Sequence, residues 1–243
     1  MLQDGGIYFA AASTFKDGNE GRFLEEKYIE RANWLGYGVA KPSDYIPDVL
    51  AVEEDERAKT YISCWFKGVN PTEFMWKSYA GSENGILGVA IKCNWFVIHE
   101  AIPPHLKEVV RSEDCRYREA QQSSEFSNLY AYKGEKYEPE NECRFIFNSY
   151  ELNYKTGINI DEVSPVVIDG EPPKHNNAPK NLVVKKGRGA VVSIDLSIII
   201  EAIYIHHSAP IGHEDAVKAE LERFGYAFQV IRSVENTNEV PKP

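Results

Sequence analysis

Thr60-Tyr61-Ile62-Ser63-Cys64-Trp65-Phe66 is dominated by β-branched and aromatic side chains, which fit a pleated, half-buried surface. The stretch is expected to form a central strand. Upstream, Gly6-Ile7-Tyr8-Phe9-Ala10 reads as a short strand near the start of the chain. Residues 22–35 place Phe23, Tyr28, Ala32 and Leu35 at helical spacing among charges, and Glu53-Glu54-Asp55-Glu56 belongs to a second helix as a solvated acidic face. Downstream, Asn70-Pro71-Thr72-Glu73 combines a capping amide, a proline at the first helical position and an acid. A helix through Met75-Trp76-Lys77-Ser78-Tyr79 follows from it, with Trp76 and Tyr79 packing in the core and Gly81 as the stop. Residues 85–93 read as a buried strand, 94–101 as a short helix before Pro103-Pro104, 117–132 as mostly helical, and 144–147 as a strand, with Val109-Val110 opening another. The proline- and asparagine-rich stretch 164–181 is a loop. Residues 182–184 and 190–194 flank a basic turn as a hairpin, and the last third alternates helix, strand, helix and strand.

Strands scattered among helices of varied length favour an α+β class: a mixed, mostly antiparallel central sheet flanked by helices. With 243 residues, 43% of them hydrophobic and 12% aromatic, the chain has material for a core, and global disorder is excluded. One domain over residues 1–234 with a polar tail at 235–243 is expected. The longest apolar runs fall far short of the roughly 20 residues that span a bilayer, and the first residues lack the pattern of a secretory signal, so a cytoplasmic protein without membrane contact is expected. Cys64, Cys93, Cys115 and Cys143 contain no C-x-x-C pair and read as reduced thiols. The formal net charge of −10 argues against broad nucleic-acid binding, which needs clustered lysine and arginine.

Four pieces in order resemble a family of bacterial proteins, domain-of-unknown-function family 2971. They are Ile7-Tyr8-Phe9-Ala10 with the following turn at 13–20; Ile62-Ser63-Cys64-Trp65-Phe66; Met75-Trp76-Lys77-Ser78-Tyr79 with Gly85; and Lys133 with Glu140-Asn141-Glu142-Cys143-Arg144. The ending on Arg232-Ser233 is similar as well. The resemblance implies the family fold, here without the usual opening strand and helix, and it carries no assigned activity. An N-terminal edge strand around Tyr8 would then be exposed for pairing, so a homodimer or a protein partner docking there is expected.

A serine-bearing aromatic strand followed by E-x-E also loosely resembles the order of motifs in ADP-ribosyltransferases. That likeness implies NAD as co-substrate, with no metal expected. Glu140 and Glu142, two apart on an extended segment, would face one side, in a cleft between the Ser63 strand and the 140–144 strand. Glu142 would stabilise an oxocarbenium-like state and Glu140 would orient or deprotonate the acceptor, with Ser63 as the third catalytic residue. Tyr8, Phe9 or Trp65 would stack on nicotinamide, and Lys133 or Arg144 would hold the pyrophosphate. The plain alternative for Glu142-x-Arg144 is an ion pair on a strand face. A toxin or phage-defence effector fits the enzymatic reading.

Two other functions compete. A magnesium-dependent nuclease would use Asp17, Glu20, Glu140 and Glu142 as ligands, though the residue that would be its base is Arg144, which stays protonated. A non-catalytic acidic interaction protein in phage–bacterium conflict needs no site at all. His206 and His207, at a strand end, are expected to point to opposite faces and not to share a metal. Ser208 and His213 lack a nucleophile elbow.

Overall fold

The computed structural model describes residues 1–15, 46–82, 85–117, 126–164, 172–173 and 175–234, with the backbone alone at 46, 82, 85–86 and 126–128. The expected helix at 22–35, the acids Asp17 and Glu20, and the tail 235–243 lie outside the described residues. In chain order the strands are β1 (Gly6–Ala11), β2 (Thr60–Phe66), β3 (Gly81–Ser82), β4 (Gly85–Ile86), β5 (Val89–Cys93), β6 (Arg111–Asp114), β7 (Arg116–Tyr117), β8 (Tyr132–Lys133), β9 (Glu142–Asn148), β10 (Val183–Lys186), β11 (Gly189–Ser193), β12 (Ile200–Ile205) and β13 (Val230–Arg232). The helices are α1 (Ile46–Ala58), α2 (Glu73–Met75, continued by a π-helical turn at Trp76–Ala80), α3 (Trp95–Ala101), α4 (Ser149–Thr156), α5 (Leu196–Ile199) and α6 (His213–Arg223).

β2 lies inside a six-stranded antiparallel sheet ordered β10-β11-β1-β2-β9-β6. A three-stranded sheet, β13-β12-β5, pairs β12 with β13 in parallel and with β5 antiparallel. The class is therefore α+β with a mainly antiparallel sheet. β1 is hydrogen-bonded on both sides, to β11 and to β2. By strand order β1 is an inner strand and the outer strands are β10 and β6, but around Tyr8 it is paired to β11 alone, its ladder to β2 being confined to Ala10 and Ala11.

Strand alternation gives the large sheet two unlike faces. On one face Ile7, Phe9, Tyr61, Phe145, Phe147 and Val192 join a core shared with Ile98 of α3, Leu152 of α4 and Ile199 of α5, and with Ile200 and Ile203 of the small sheet. Trp95 stacks on Phe145 with ring centroids 4.1 Å apart. The other face carries Ala10, Ile62, Cys64, Glu142, Arg144 and Ile146, with Ala12, Phe15 and Tyr130 packed on its apolar part among the described residues. α1 reaches this side: Arg57 Nη2 donates to the Ala12 carbonyl at 3.4 Å. Glu53 of α1 is 3% exposed, so the acidic run is not uniformly solvated as expected.

Local boundaries follow capping chemistry. Thr72, not Asn70, caps α2, its hydroxyl accepting from the Met75 amide at 3.2 Å. The strand expected at 85–93 breaks into β4 and β5 around Gly88, where a methyl group would run into Ala80. α4, which periodicity did not reveal, starts at Asn148, whose side chain accepts from the Tyr150 amide at 2.8 Å.

Candidate functional site

β1 and β2 pair only at Ala10 with Ile62 and Ala11 with Tyr61. Beyond these residues no ladder joins the two strands, and a cavity of about 610 Å³ lies on the Glu142 face there, lined by Tyr8, Cys64, Tyr79, Lys133, Glu140 and Glu142 among others. A second cavity of about 330 Å³ adjoins it and shares Cys64, Tyr79 and Glu142.

The charged wall is built by β8, β9 and the 3₁₀ turn Glu135–Glu140 between them. That turn ends at Asn141, held left-handed at φ 39°, a conformation asparagine tolerates better than most residues. Asn141 then clips the turn to the end of β2, its Nδ2 donating to the Lys67 carbonyl at 2.6 Å and its carbonyl accepting from the Lys67 amide at 2.7 Å. The Glu142 amide donates to the Tyr117 hydroxyl at 2.5 Å. Glu140 and Glu142 therefore meet because a turn folds one back onto the other, and not through strand alternation as the spacing suggested.

Lys133, 8% exposed, sits between the two carboxylates: it binds Glu140 Oε2 and lies 3.4 Å from Glu142 Oε1. Arg144 is fully buried and spans Glu142 Oε2 with Nε at 3.1 Å and Nη2 at 2.8 Å, while Nη1 donates to the Tyr130 carbonyl at 2.6 Å. The strand-face ion pair expected of Glu142-x-Arg144 is present. Burial opposes ionisation of Glu142, but Arg144 and Lys133 outweigh it and hold this carboxyl below its ordinary 4.5. For Glu140 burial prevails over Lys133, with the neighbouring Glu142 adding to it, and the carboxyl is pushed up. The Tyr79 hydroxyl engages Glu140. Two contiguous carboxyl groups thus differ in proton affinity, Glu140 holding a proton more tightly than Glu142.

Of the residues expected from sequence, Tyr8, Ser63, Lys133, Glu140, Glu142 and Arg144 line this cavity together, and Trp65 lines the adjoining one. The side chains of Ser63, Trp65 and Phe9 nevertheless turn away from the carboxylates. β2 and β9 are direct ladder neighbours, so no cleft opens between them, and Ser63 pairs with Phe145 while Cys64 pairs with Arg144. Ser63 and Trp65 consequently project to the core face, where Trp65 Nε1 donates to Ser63 Oγ at 3.1 Å. Phe9 belongs to the same core, 2% exposed and 5.2 Å from the Phe147 ring. None of the three side chains shares the Glu142 face. Arg144 directs its three guanidinium nitrogens at Glu142 and Tyr130, which suits it to positioning Glu142 more than to holding a pyrophosphate.

Tyr79 was expected in the core and is instead 61% exposed at the cavity, while Trp76 is 3% exposed. The π-helical turn at Trp76–Ala80 changes the angular spacing, so residues three apart no longer share a side. Tyr137 joins the site through Lys133, whose Nζ lies 4.7 Å from its ring centroid. Only the side-chain chemistry of these tyrosines hinted at a role. Burial pushes the Cys93 and Cys143 thiols up to about 12, which leaves them unreactive, and none of the four cysteines is in a disulfide.

The expected separation of His206 and His207 is also overturned. Both follow the last residue of β12, where alternation has ended, and their rings lie 4.0 Å apart against Glu73. No helix among the described residues is long and apolar enough to cross a membrane. No protein-family model, curated protein or solved structure matches the chain.

Proposed function

We propose that the chain binds a pyridine dinucleotide of the NAD class beneath Tyr8 and Tyr79 and transfers its ADP-ribosyl group, with Glu140 and Glu142 as the anionic centre. The carboxyl pair carries this reading: two adjoining groups of opposed proton affinity on the wall of a cavity of about 610 Å³ with tyrosines around it. Cleavage at an anomeric carbon needs negative charge beside an oxocarbenium-like centre. An oxygen glycoside also needs an acid across the bond, and its two carboxyl groups then stand about 5 to 9.5 Å apart. Glu140 and Glu142 touch, so they do not flank a bond in that way.

A cationic pyridinium N-glycoside makes no such demand. Its C–N bond breaks with the electron pair going to the ring nitrogen, and nicotinamide leaves neutral without a proton. The anomeric carbon is taken by an acceptor oxygen, whose proton passes to a carboxylate or to water. In this scheme Glu142, kept ionised by Arg144 and Lys133, faces the ribose, Glu140 hydrogen-bonds a ribose hydroxyl, and Tyr8 and Tyr79 supply stacking surface. Ser63, Phe9 and Trp65 have no part in it.

The same ion pairs support a second reading, a non-catalytic binding protein, because Glu142 is only 3% exposed. The nuclease reading is weaker, since Lys133 and Arg144 occupy the carboxylates that would hold magnesium. With the likeness to family 2971, a cytoplasmic effector of the toxin or phage-defence kind is the setting we propose. Incubation with NAD labelled in the nicotinamide or the adenylate ring separates the readings. Nicotinamide release is expected to fall about 100-fold in Glu142→Gln, the scale of losing one charge-stabilising group, and Tyr79→Ala, at an exposed position, is expected to raise KM. A wild-type chain that neither binds NAD nor releases nicotinamide sinks the enzyme.

A further inference from the structure

We propose that Glu73, His206 and His207 form a binding site for a divalent transition-metal ion of the zinc class, independent of the carboxylate cavity. Among the described residues this is the one place where three such ligands converge, with their ligand atoms all within 4.8 Å of one another. Glu73 Oε1 lies 3.0 Å from His206 Nε2 and 3.3 Å from His207 Nδ1. Two atoms bound tetrahedrally to zinc at about 2.0–2.1 Å are themselves about 3.3 Å apart, so the two spacings from Glu73 are already those of a coordination sphere.

The second observation is an orphan. His207 Nδ1 is buried and, despite its distance from Glu73, has no hydrogen-bond partner. Leaving such an atom unsatisfied is unfavourable, and a metal ion is the partner whose geometry fits all three ligands at once. The surroundings are also those of a ligand set. His206 Nδ1 is 2.7 Å from Ser208 Oγ and accepts from the Ser208 amide at 3.2 Å; with a metal on Nε2 the proton would move to Nδ1 and be donated to that hydroxyl. Arg232 Nη1 clamps the loop through the carbonyls of His206 at 3.3 Å, His207 at 3.0 Å and Ala209 at 2.8 Å.

Two imidazoles and one carboxylate suit zinc and its neighbours better than magnesium or calcium. His206 is buried, whereas the Glu73 and His207 side chains are 31% and 25% exposed, so the cluster lies close to the surface. The ion would tie the start of α2 to the end of β12. It would thereby fix the π-helical turn that carries Tyr79 to the larger cavity, which couples metal content to the shape of that cavity.

The test uses the full chain after chelator treatment and dialysis, titrated with Zn²⁺ by calorimetry and with Co²⁺ by visible absorption. One equivalent of Zn²⁺ is expected, with d–d bands of a low-symmetry Co²⁺ centre and a change in tryptophan emission, since Trp76 meets His206 edge-on at 5.5 Å. His207→Ala and Glu73→Gln are expected to weaken binding at least 10-fold, and Ser208→Ala by about 10-fold. Cys64→Ser is expected to leave binding unchanged. A chain that takes up no stoichiometric ion overturns the site, leaving a Glu–His hydrogen-bond cluster. Binding that survives in folded His207→Ala but disappears in Cys64→Ser also overturns it.

Discussion

Glu142 reaches Arg144 through two guanidinium nitrogens and lies beside Lys133, whereas Glu140 has Lys133, Tyr79 and Glu142 itself for company. The pH dependence of the two glutamates therefore has opposite signs. Glu140 has its folded pKa above the ordinary 4.5, so its contribution is complete below that value and is lost as pH rises through the folded one. Glu142 has its folded pKa below 4.5, so its contribution is present above that value and is lost as pH falls. Urea unfolding of Glu140→Gln between about pH 5 and pH 8 is expected to lose the decline toward alkaline pH that this residue gives the wild type. Glu142→Gln is expected to lose about 3–5 kcal/mol at neutral pH, because it removes the carboxylate charge that faces the buried Arg144 guanidinium. If the two substitutions prove equal in size and slope, the assignment of opposite proton affinities is wrong.

At the scale of elements, the site exists because β1 parts from β2 after two paired residues while staying on β11 along Gly6–Ala10. Gly189 is what lets β11 come close: a methyl group there would overlap the Tyr8 ring and the Phe9 carbonyl. Gly189→Ala is thus expected to destabilise the fold by about 1–3 kcal/mol and to displace Tyr8 at the cavity, read as lower affinity for a dinucleotide probe. Unchanged stability would mean that the strands shift without strain. The strand pattern was legible because β-branched and aromatic runs are local: Thr60–Phe66 and the 144–147 run fall within β2 and β9. The faces of those strands were not legible, because which of Ser63 and Cys64 meets Glu142 depends on the β2–β9 register, a long-range fact. Asn141 in the left-handed region and the π-helical turn before Gly81 likewise set aside the simple periods from which Glu140, Trp76 and Tyr79 were read. Proximity of Lys133, Glu140, Glu142 and Arg144 survived because they are near in sequence.

Over the whole molecule, one continuous core joins the large sheet to the small one. Ile200 and Ile203 of β12 belong to the same buried cluster as Phe9, Tyr61 and Phe147, with α3 and α5 contributing between them. Among the described residues the apolar cluster on the far face of the large sheet is small, made of Ala12, Ile62 and Ile146 beside the buried Glu142–Arg144 pair. The two sheets are then expected to unfold together, and damage to one should be felt by the other. Ile203→Ala is the direct test, since this side chain is 3% exposed and lies on the strand that leads into the His206 loop. A loss of about 2–5 kcal/mol is expected for such a truncation. It should appear as an equal shift of far-UV circular dichroism and of the near-UV signal to which Trp95, stacked on Phe145 beneath the large sheet, contributes. Were the near-UV transition to keep its wild-type midpoint while part of the far-UV signal melted early, the small sheet would be an independent unit. A metal site at its end would then have no means of reaching the carboxylate cavity except through α2.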